Sequence, residues 1–551
     1  MAISVPVGFE FFDDLIDSGA YFVDKTELIH DLVCQAKNKV TLFTRPRRFG
    51  KTLNMSMLEC FFNITRDSKN LFSGLNIAKY QDICNRWMNQ YPVLFITLKD
   101  VEGRDFNSAF GMLESVIAEA CKRYSHLSDN EKLNESDRQT FLKLEAQTAD
   151  ENTVKLALKT LTRILSAAYG KPAILLIDEY DVPLDKAQIN GYYSEMLDMI
   201  RSLLSNVLKT NDHLKFAVIT GCLRIAKESI FTGVNNFVSY SVLNKEFSQY
   251  FGFTEDEVLT MLRAADRTKS ADTIKEWYDG YLFGSRSVYC PWDVVNYVAA
   301  LLYQETAKPK NYWKNTSGNG IIRLFFENTG FDVREKFEIL LNGGTIEQHI
   351  TDQLTYDRMY DTEENLWNVL LMTGYLTKAN PEEEGDTVSL RLPNKEIAGI
   401  FEDTVVHHFS DTLDDSTQKA LMNMLWNGDE TGASKAISDL LWDTISFNDY
   451  HEDYYHVFLT GLFVGRGYAV ESNKERGIGR PDILLKDHRN RRALIIEAKK
   501  SVSEAAMEQD CCSALRQIDE QEYADRLYGY RQVLRYGISF YRKTALVKLL
   551  K

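Results

Sequence analysis

Residues 40–52 combine the residue types that bind the phosphates of a nucleotide. An apolar run, VTLFT, leads into RPRRFG and then into Lys51 and Thr52, where a helix is predicted. In such a loop, backbone N–H groups and the helix N-terminus hold phosphates, the lysine reaches the terminal phosphates, and the threonine hydroxyl ligates Mg²⁺. The predicted nucleotide contacts are Arg45, Arg48, Gly50, Lys51 and Thr52.

One position of this loop departs from the usual pattern. Loops of this kind begin with glycine in GxxxxGK[ST], but residue 45 is Arg. The standard entry turn cannot be assumed, because arginine lacks the conformational freedom of glycine.

A second half-motif lies downstream in AILLIDEYD at residues 173–181. The apolar run predicts a strand that ends in Asp178, which can ligate Mg²⁺, and Glu179, which can polarise the attacking water. VLFITL at 93–98 lies between the two half-motifs, as expected of a P-loop ATPase with an extra strand between the lysine strand and the acidic strand. A capped strand end and a surface turn are the structural alternative.

Two further polar residues follow the strand FAVIT at 216–220. Thr220 ends that strand and is suited to sense the γ-phosphate or the attacking water. Arg224 is a candidate charge on the transition state, in cis or in trans, or a structural ion pair.

The C-terminal region carries a separate pair of carboxylates. Asp482 begins one predicted strand, and Glu497 and Lys499 lie near the end of the next, on one face because strand residues alternate. Two carboxylates form a hard oxygen site for Mg²⁺ or Mn²⁺, and a neighbouring lysine can orient or deprotonate a water that attacks a phosphodiester. This is the PD-x(n)-ExK pattern, and solvated carboxylates at strand ends are the alternative.

Flanking helices offer additional groups for that site. Glu452 and His456 lie four residues apart on one helical face and could complete the metal shell, although a histidine that caps the core is an equal alternative. Gln517, on a later helix, could pack behind Lys499 and hydrogen-bond the site or the scissile phosphate.

Charge is unevenly distributed along the 551 residues. Residues 451–551 carry a net charge of +4, whereas the remaining 450 carry −19. An acidic body with a basic module is typical of local contact with a polyanion, and a merely basic surface is the alternative. The basic residues nearest the carboxylates are Lys474, Arg476, Arg480, Arg489, Arg491, Arg492, Lys499 and Lys500.

The order of predicted elements indicates three domains of α/β class. Residues 1–240 alternate buried strands with long amphipathic stretches, which predicts a P-loop NTPase domain with a parallel sheet. Residues 241–449 are mostly helical, with a short hairpin around PEEEGD that could form a wing. Residues 450–551 read helix, strand, strand, strand, helix, a small α/β domain.

Composition excludes several protein classes. With 44% hydrophobic and 26% charged residues, the chain is neither fibrous nor disordered. Its eight cysteines have no zinc spacing and are interpreted as reduced thiols, and no apolar run reaches the length of a membrane span. A cytoplasmic protein without membrane association is therefore expected.

Two aromatic segments leave alternatives open. The middle-region aromatics Trp277, Tyr278, Tyr281, Phe283 and Trp292 could form a partner-docking surface, but core positions are the favoured interpretation. Residues Phe22, Asp24 and Lys25 in YFVDKTELI could contact the nucleotide, or Asp24 could simply cap a helix.

Several rarer motifs occur in order along nearly the whole chain: YFVDKTELI, RPRRFGKT, LLIDEYD, TGCLRIAKESIFTGVNN, WYDGYLFG, YCPWDVVNY, SNKERGIGRPDILL and IIEAKKS. Together they resemble the bacterial AAA-ATPase-like proteins fused to a PD-(D/E)XK nuclease-superfamily domain. The resemblance implies that arginine in place of the first glycine, here Arg45, is usual in this family. It also implies that TGYLT (373–377) and LPNKEI (392–397) lie in the domain that links ATPase to nuclease. The family form has Asn where Cys290 stands, which puts a polar role there in doubt.

These observations predict an ATP-binding and ATP-hydrolysing enzyme whose C-terminal domain cuts nucleic acid with Mg²⁺ or Mn²⁺ under nucleotide control. Thr52 and Asp178 would ligate metal at the nucleotide, and Asp482 and Glu497 at the nuclease site. DNA is the expected substrate, and a protein partner or homo-oligomer remains open. The alternative is a nucleotide-dependent switch whose C-terminal domain binds nucleic acid or protein without cutting.

Overall fold

The computed structural model describes most of the chain. The described residues are 3–224, 237–313, 333–351, 354, 359, 361–383, 385–412, 415–444, 452–463, 469–472, 481–521, 527 and 529–550. One compact unit comprises Met1–Ser317 with Glu347–Glu396, and a second comprises Gly318–Ile346 with Ile397–Lys551. The three-domain division at 240/241 and 449/450 stays a prediction.

The described residues of the first unit contain a five-stranded parallel sheet. Its strands are β1 (Val40–Thr44), β2 (Val93–Thr97), β3 (Ala173–Asp178), β4 (Leu214–Gly221) and β5 (Phe237–Tyr240). Their order is β2-β3-β4-β1-β5, and each neighbouring pair is parallel. Strand β4 is thus the extra strand between the lysine strand and the acidic strand, whereas VLFIT forms the edge strand β2. The predicted α/β class is confirmed.

The described residues of the two units also contain α-helices. In chain order, those of the described residues are α1 (Phe12–Asp17), α2 (Glu27–His30), α3 (Lys51–Phe62), α4 (Gln81–Trp87), α5 (Phe106–Lys122), α6 (Glu135–Glu145), α7 (Glu151–Lys155), α8 (Ala157–Tyr169), α9 (Val182–Asn190), α10 (Tyr193–Leu208), α11 (Glu255–Ala264), α12 (Ala271–Tyr278), α13 (Pro291–Tyr303), α14 (Arg334–Leu341), α15 (Glu363–Thr373), α16 (Lys395–Thr412), α17 (Asp415–Asn427), α18 (Glu430–Thr444), α19 (Glu452–Phe463) and α20 (Met507–Glu520).

The middle region is mainly helical, as predicted, and carries short strands. Hairpin β6–β7 spans Tyr281–Phe283 and Arg286–Val288, and a small sheet has the order β8-β10-β9. The bounds of its strands are Ile346–His349 for β8, Thr377–Lys378 for β9 and Thr387–Arg391 for β10. The antiparallel pair β9–β10 flanks the acidic turn, so the predicted hairpin is present. Tyr278, Tyr281 and Phe283 are buried, which favours the core interpretation over a docking surface.

The second unit contains a five-stranded mixed sheet within the described residues. Its strands, in both chain and sheet order, are β11 (Ala469–Ser472), β12 (Ile483–Asp487), β13 (Arg492–Lys500), β14 (Gln532–Tyr541) and β15 (Thr544–Leu549). Only β13 and β14 pair in parallel, with α20 as the crossover between them. The predicted order of helix, three strands and helix is observed, and β14 and β15 extend it.

The alternation of β13 determines where its functional carboxylate points. Leu494 and Ile496 belong to a core shared with α17, α18 and α19 on one side of the sheet. Ile495 packs with Ile518 of α20 on the other side. Glu497 has the parity of Ile495 and therefore faces α20.

Two further observations concern membrane spans and cysteines. Every helix among the described residues is too short or too polar to span a bilayer. All eight cysteines are free.

Gly537 of β14 tests the close packing of α20 on this sheet. A Cβ atom there would lie 2.5 Å from the Cys511 carbonyl oxygen and 3.0 Å from Leu515 Cγ. We expect Gly537→Ala to lower the free energy of unfolding of the second unit by about 1–3 kcal/mol, the usual cost of overpacking. Urea unfolding followed by circular dichroism measures this change.

Gly111 in α5 provides the control, because an added Cβ there meets nothing within 4 Å. Gly111→Ala should be neutral or stabilise by up to about 1 kcal/mol, since alanine favours a helix interior. If Gly537→Ala were as stable as wild type, the described packing of α20 would be wrong.

Candidate functional site

The loop between β1 and α3 has the form of a phosphate-binding loop. Gly50, which precedes α3, has φ of 79° and carries no side chain that could cap the helix. The first N–H groups of α3 therefore face the loop, an arrangement that binds anions. Arg48 has φ of 70°, a conformation that costs energy for any residue with a Cβ.

Lys51, the first residue of α3, lies at the centre of the site and is only 3% exposed. Its Nζ donates to the carbonyl oxygens of Arg45 and Pro46, each at 3.1 Å, and lies 3.4 Å from Glu179 Oε1. Burial alone would lower the pKa of Lys51, but the surrounding negative charge, including that of Glu179, outweighs it and raises the pKa. Lys51 is therefore a buried cation held ready for anionic ligands.

Asp178 connects the phosphate loop and β4 at the carboxyl end of the sheet. It accepts a 2.7 Å hydrogen bond from Thr52 Oγ1 and a 2.5 Å hydrogen bond from Thr220 Oγ1. Burial and the neighbouring charge of Glu179 raise the pKa of Asp178, while the two threonine hydrogen bonds oppose the change. The structure thus brings together Lys51, Thr52, Asp178, Glu179 and Thr220.

Glu179 has a backbone conformation that suits a functional side chain. Its φ is 54°, in the left-handed region, directly after β3. Its N–H lies 3.4 Å from Thr220 Oγ1, and its half-buried side chain reaches Lys51. Left-handed non-glycine residues often occur at functional sites, where the surrounding structure stabilises the strain.

Sequence reasoning missed Asp181, which is also part of this site. Asp181 is 2% exposed, and its Oδ2 accepts the N–H groups of Cys222 and Leu223, each at 2.8 Å. Burial, with the charge of Glu179, raises the pKa of Asp181 to about 6. The signal was present as the second aspartate of DEYD, but its partners lie about 40 residues away.

Cys222 was also missed. Its Sγ lies 3.5 Å from Lys51 Nζ, and burial raises the pKa of its thiol to about 12. The neutral thiol therefore completes the packing around the lysine. Arg224 lies just beyond, half-buried, and the segment 225–236 that follows it lies outside the described residues.

Arg45 has a different location from the one that its place in the loop suggested. Its side chain is fully buried, lies 5.2 Å from the ring centroids of both Phe251 and Phe283, and donates 2.8 Å hydrogen bonds to the carbonyls of Thr44 and Tyr240. Burial lowers the pKa of this guanidinium to about 9. The side chain of Arg45 therefore points into the core, and only its carbonyl faces Lys51.

The other two loop arginines contact different segments of the chain. Arg47, which the sequence analysis did not select, approaches Asp185 at 3.5 Å. Arg48 is exposed, with its guanidinium 4.3 Å from the centroid of the Trp292 ring.

The residues of YFVDKTELI are occupied by structural contacts. Asp24 accepts from the N–H and hydroxyl of Thr26, and Lys25 Nζ donates to Glu257 at 2.7 Å. Phe22 packs edge-on against Phe12. These contacts support the structural alternative for this segment.

The candidate nuclease residues converge at one end of β12 and β13. Asp482 Oδ2 accepts the Ala498 N–H at 2.9 Å, and the Asp482 N–H lies 3.3 Å from Glu497 Oε2. Glu497 is only 2% exposed, with Lys499 Nζ 3.7 Å from its Oε1. Gln517 of α20 donates a hydrogen bond to the same carboxylate oxygen. Gln517 therefore lies against Glu497, and its role at the site stays a prediction.

The other residues predicted near the carboxylate pair differ in whether they contact it. His456 Nε2 lies 2.9 Å from the Asp482 carbonyl oxygen, so this histidine contacts the backbone of the site. Arg492 pairs with Asp487 at 2.8 Å and stacks on Trp426, so its contacts are structural. Exposed basic groups include Arg489 and Arg491, and the side chains of Glu452, Lys474, Arg476 and Arg480 lie outside the described residues.

The nucleotide site and the nuclease site each offer few side chains that could ligate a metal ion. Within the part of the chain that the structure describes, no three or more His, Cys, Asp or Glu side chains are grouped to hold a metal ion. Mg²⁺ in proteins commonly uses one or two carboxylates and completes its shell with water and substrate phosphates. The donor types at Asp178 with Thr52, and at Asp482 with Glu497, fit that chemistry.

Comparisons with known proteins match this division of sites. Residues 6–231 match the AAA-ATPase-like family described as "Predicted AAA-ATPase", and residues 450–549 match the PD-(D/E)XK nuclease superfamily. An uncharacterized protein in the vnfD 5′ region of Azotobacter chroococcum mcd 1 is 31% identical over 314 residues. That match covers 57% of this chain and 54% of the relative, so the chain spans about half the relative's length.

The geometry of the phosphate loop and of the carboxylate pair agrees with the two family matches. The chain therefore carries an AAA-ATPase-like domain, followed at its C-terminus by a domain of the PD-(D/E)XK nuclease superfamily.

Proposed function

We propose that this protein binds and hydrolyses ATP and that its C-terminal domain cuts nucleic-acid phosphodiesters under nucleotide control. The observation that carries the nuclease assignment is the convergence of Asp482, Glu497, Lys499 and Gln517 at one end of two paired strands. The superfamily match supports a nucleic-acid substrate at this domain. DNA and a cytoplasmic location are parts of the same proposal.

At the ATPase site, each side chain has a task that its position supports. Lys51 would neutralise the β- and γ-phosphates, and Glu179 would orient the water that attacks the γ-phosphorus. Thr220 would hold Asp178 and sense the γ-phosphate, while Arg224 is a candidate for offsetting transition-state charge. Thr52 and Asp178 would hold Mg²⁺, which neutralises charge on the phosphates.

At the nuclease site, the two carboxylates would hold Mg²⁺ or Mn²⁺, which supplies charge stabilisation at the scissile phosphate. Lys499 would orient the attacking water or accept its proton. Gln517 would keep Glu497 in place, because an amide donor fixes one oxygen and leaves the other free to act as a ligand.

The net positive charge of the C-terminal region supports contact with the phosphate backbone of nucleic acid. The last 101 residues have a net charge of +4 in a chain whose total is −15. Such binding should weaken as salt rises, because bound phosphates release counterions.

Glu497→Gln should abolish metal-dependent cleavage and leave ATP hydrolysis unchanged, because it removes one carboxylate charge from the site and keeps the side-chain shape. Cleavage of single- and double-stranded DNA and RNA is measured with Mg²⁺ or Mn²⁺. Glu504→Gln, the same change at an exposed position of the same domain, is the control and should cut normally. Full cleavage by Glu497→Gln would refute the nuclease assignment, and no cleavage by wild type would favour the switch.

Glu179→Gln should bind ATP and lose its hydrolysis, with kcat lower by about 10²–10⁴-fold, the usual contribution of a group that activates water. Phosphate release and ATP binding are measured on the same preparations. Glu195→Gln, on the exposed face of α10, is the matched control. Unchanged kcat in Glu179→Gln would assign the activation of water to another residue.

A further inference from the structure

The conformation of the phosphate loop requires support from outside the loop. Its first position is Arg45, whose buried side chain turns away from Lys51, and Arg48 has a left-handed φ of 70°. A glycine at residue 48 would adopt this conformation freely, whereas an arginine there must be held in it. The supporting contacts come from motifs of the middle region that the proposed chemistry does not use.

The first contact is aromatic. Phe49, between the two left-handed residues, is fully buried and packs against Tyr281 and Phe283 of β6, with ring centroids 4.9 and 5.1 Å away. Strand β6 is itself fixed, because the Leu282 N–H donates to Thr377 Oγ1 of β9 at 2.8 Å. The loop is therefore anchored through WYDGYLFG to the hairpin β9–β10.

The second contact is a close approach at the end of α15. Gly374 has φ of 88°, and a Cβ atom there would lie 2.9 Å from Cβ and 3.0 Å from Cγ of Pro46. The Pro46 carbonyl is one of the two that accept from Lys51 Nζ. Any side chain at residue 374 would therefore push directly on the part of the loop that positions the lysine.

The third contact holds Arg48. Its guanidinium stacks 4.3 Å from the Trp292 ring centroid, and its carbonyl oxygen lies 3.8 Å from the Cys290 thiol. Trp292 Nε1 in turn points to the Tyr312 carbonyl at 3.4 Å. The Cys290 thiol thus makes a weak polar contact with the backbone of the loop.

Behind this contact lies a buried pair of carboxyl groups. Asp293 and Glu396 are both 0% exposed, and Glu396 Oε1 accepts the Trp313 N–H at 2.8 Å. Burial raises the pKa of both carboxyl groups, and the charge of Asp293 adds to the rise at Glu396. The positive charge of Arg48 is among the contributions that lower the pKa of Asp293, so this carboxyl group interacts with the loop arginine.

We propose that Trp292 and Gly374 are positioning residues of the nucleotide site, which hold the loop in its binding conformation in place of the missing first glycine. This inference rests on the proposed ATP binding. It gives CPWD and TGYLT a role in nucleotide affinity. Neither residue has to touch the nucleotide.

The test compares glycines that share one backbone conformation. Gly170 ends α8 with φ of 69°, and a Cβ there meets nothing within 4 Å. Gly170→Ala and Gly374→Ala thus introduce similar backbone strain, but only the second presses on Pro46. Isothermal titration of the full chain with ATP and Mg²⁺ gives the dissociation constant, and thermal unfolding of the same samples gives Tm.

We expect Gly374→Ala to weaken ATP binding by about tenfold or more, because small displacements of a binding loop are costly, and Gly170→Ala to leave it unchanged. Trp292→Ala should weaken binding as well, and Trp292→Phe should restore part of it through its ring face. Wild-type affinity in Gly374→Ala or in Trp292→Ala would overturn the assignment of that residue.

The variant Lys51→Ala distinguishes a failure of the positioning roles from a failure of the proposed ATP binding. If wild type binds ATP and Lys51→Ala does not, the nucleotide site is established, and the outcome for Gly374 and Trp292 decides the positioning roles alone. If wild type itself fails to bind ATP, both the proposed function and the inference fail. If Gly374→Ala does not fold, the Trp292 pair decides.

Discussion

Parallel pairing of β1, β4 and β3 brings the nucleotide-site residues together. The register pairs Thr44 with Gly221 and Ile177 with Ile219, so the three strands end at the same edge of the sheet. Residues at or beyond these strand ends can then meet although they are far apart in sequence. The hydrogen bonds from Thr52 and Thr220 to Asp178 depend on this register, and a slip of one residue would turn the side chains to opposite faces.

In the C-terminal domain, the alternation of side chains along one strand determines the position of the site. Residue alternation along β13 sends Leu494 and Ile496 into one core and Glu497 towards α20. The buried carboxylate is tolerated because Gln517 and the Asp482 N–H supply donors to it. Burial and function are therefore linked: the contacts that stabilise Glu497 also set the position from which it would act.

Local patterns made much of this predictable. The buried strands are continuous apolar runs, the carboxylates follow them directly, and Gln517 lies on a helix whose apolar face fixes its direction. The positions of VLFIT at the sheet edge and of β14 and β15 were not predicted, because strand order and partner choice depend on contacts between distant segments.

The unpredicted site residues have the same origin. Asp181 acquires its role from N–H groups at 222 and 223, and Arg45 from rings at 251 and 283. No spacing rule links such positions. The sequence showed that Arg45 departs from the usual loop, but only the fold shows that its side chain fills the core and that the middle region supports the loop instead.

Nucleotide control of cleavage is the central claim, and it is tested most directly by the rate of nucleic-acid cleavage at saturating Mg²⁺ or Mn²⁺, with and without ATP. The comparison uses wild type and Lys51→Ala, since Lys51 lies in the first unit and the cleaving residues lie in the second. The account predicts a wild-type rate that changes with ATP and a Lys51→Ala rate that does not. A wild-type rate that is the same with and without ATP would contradict it.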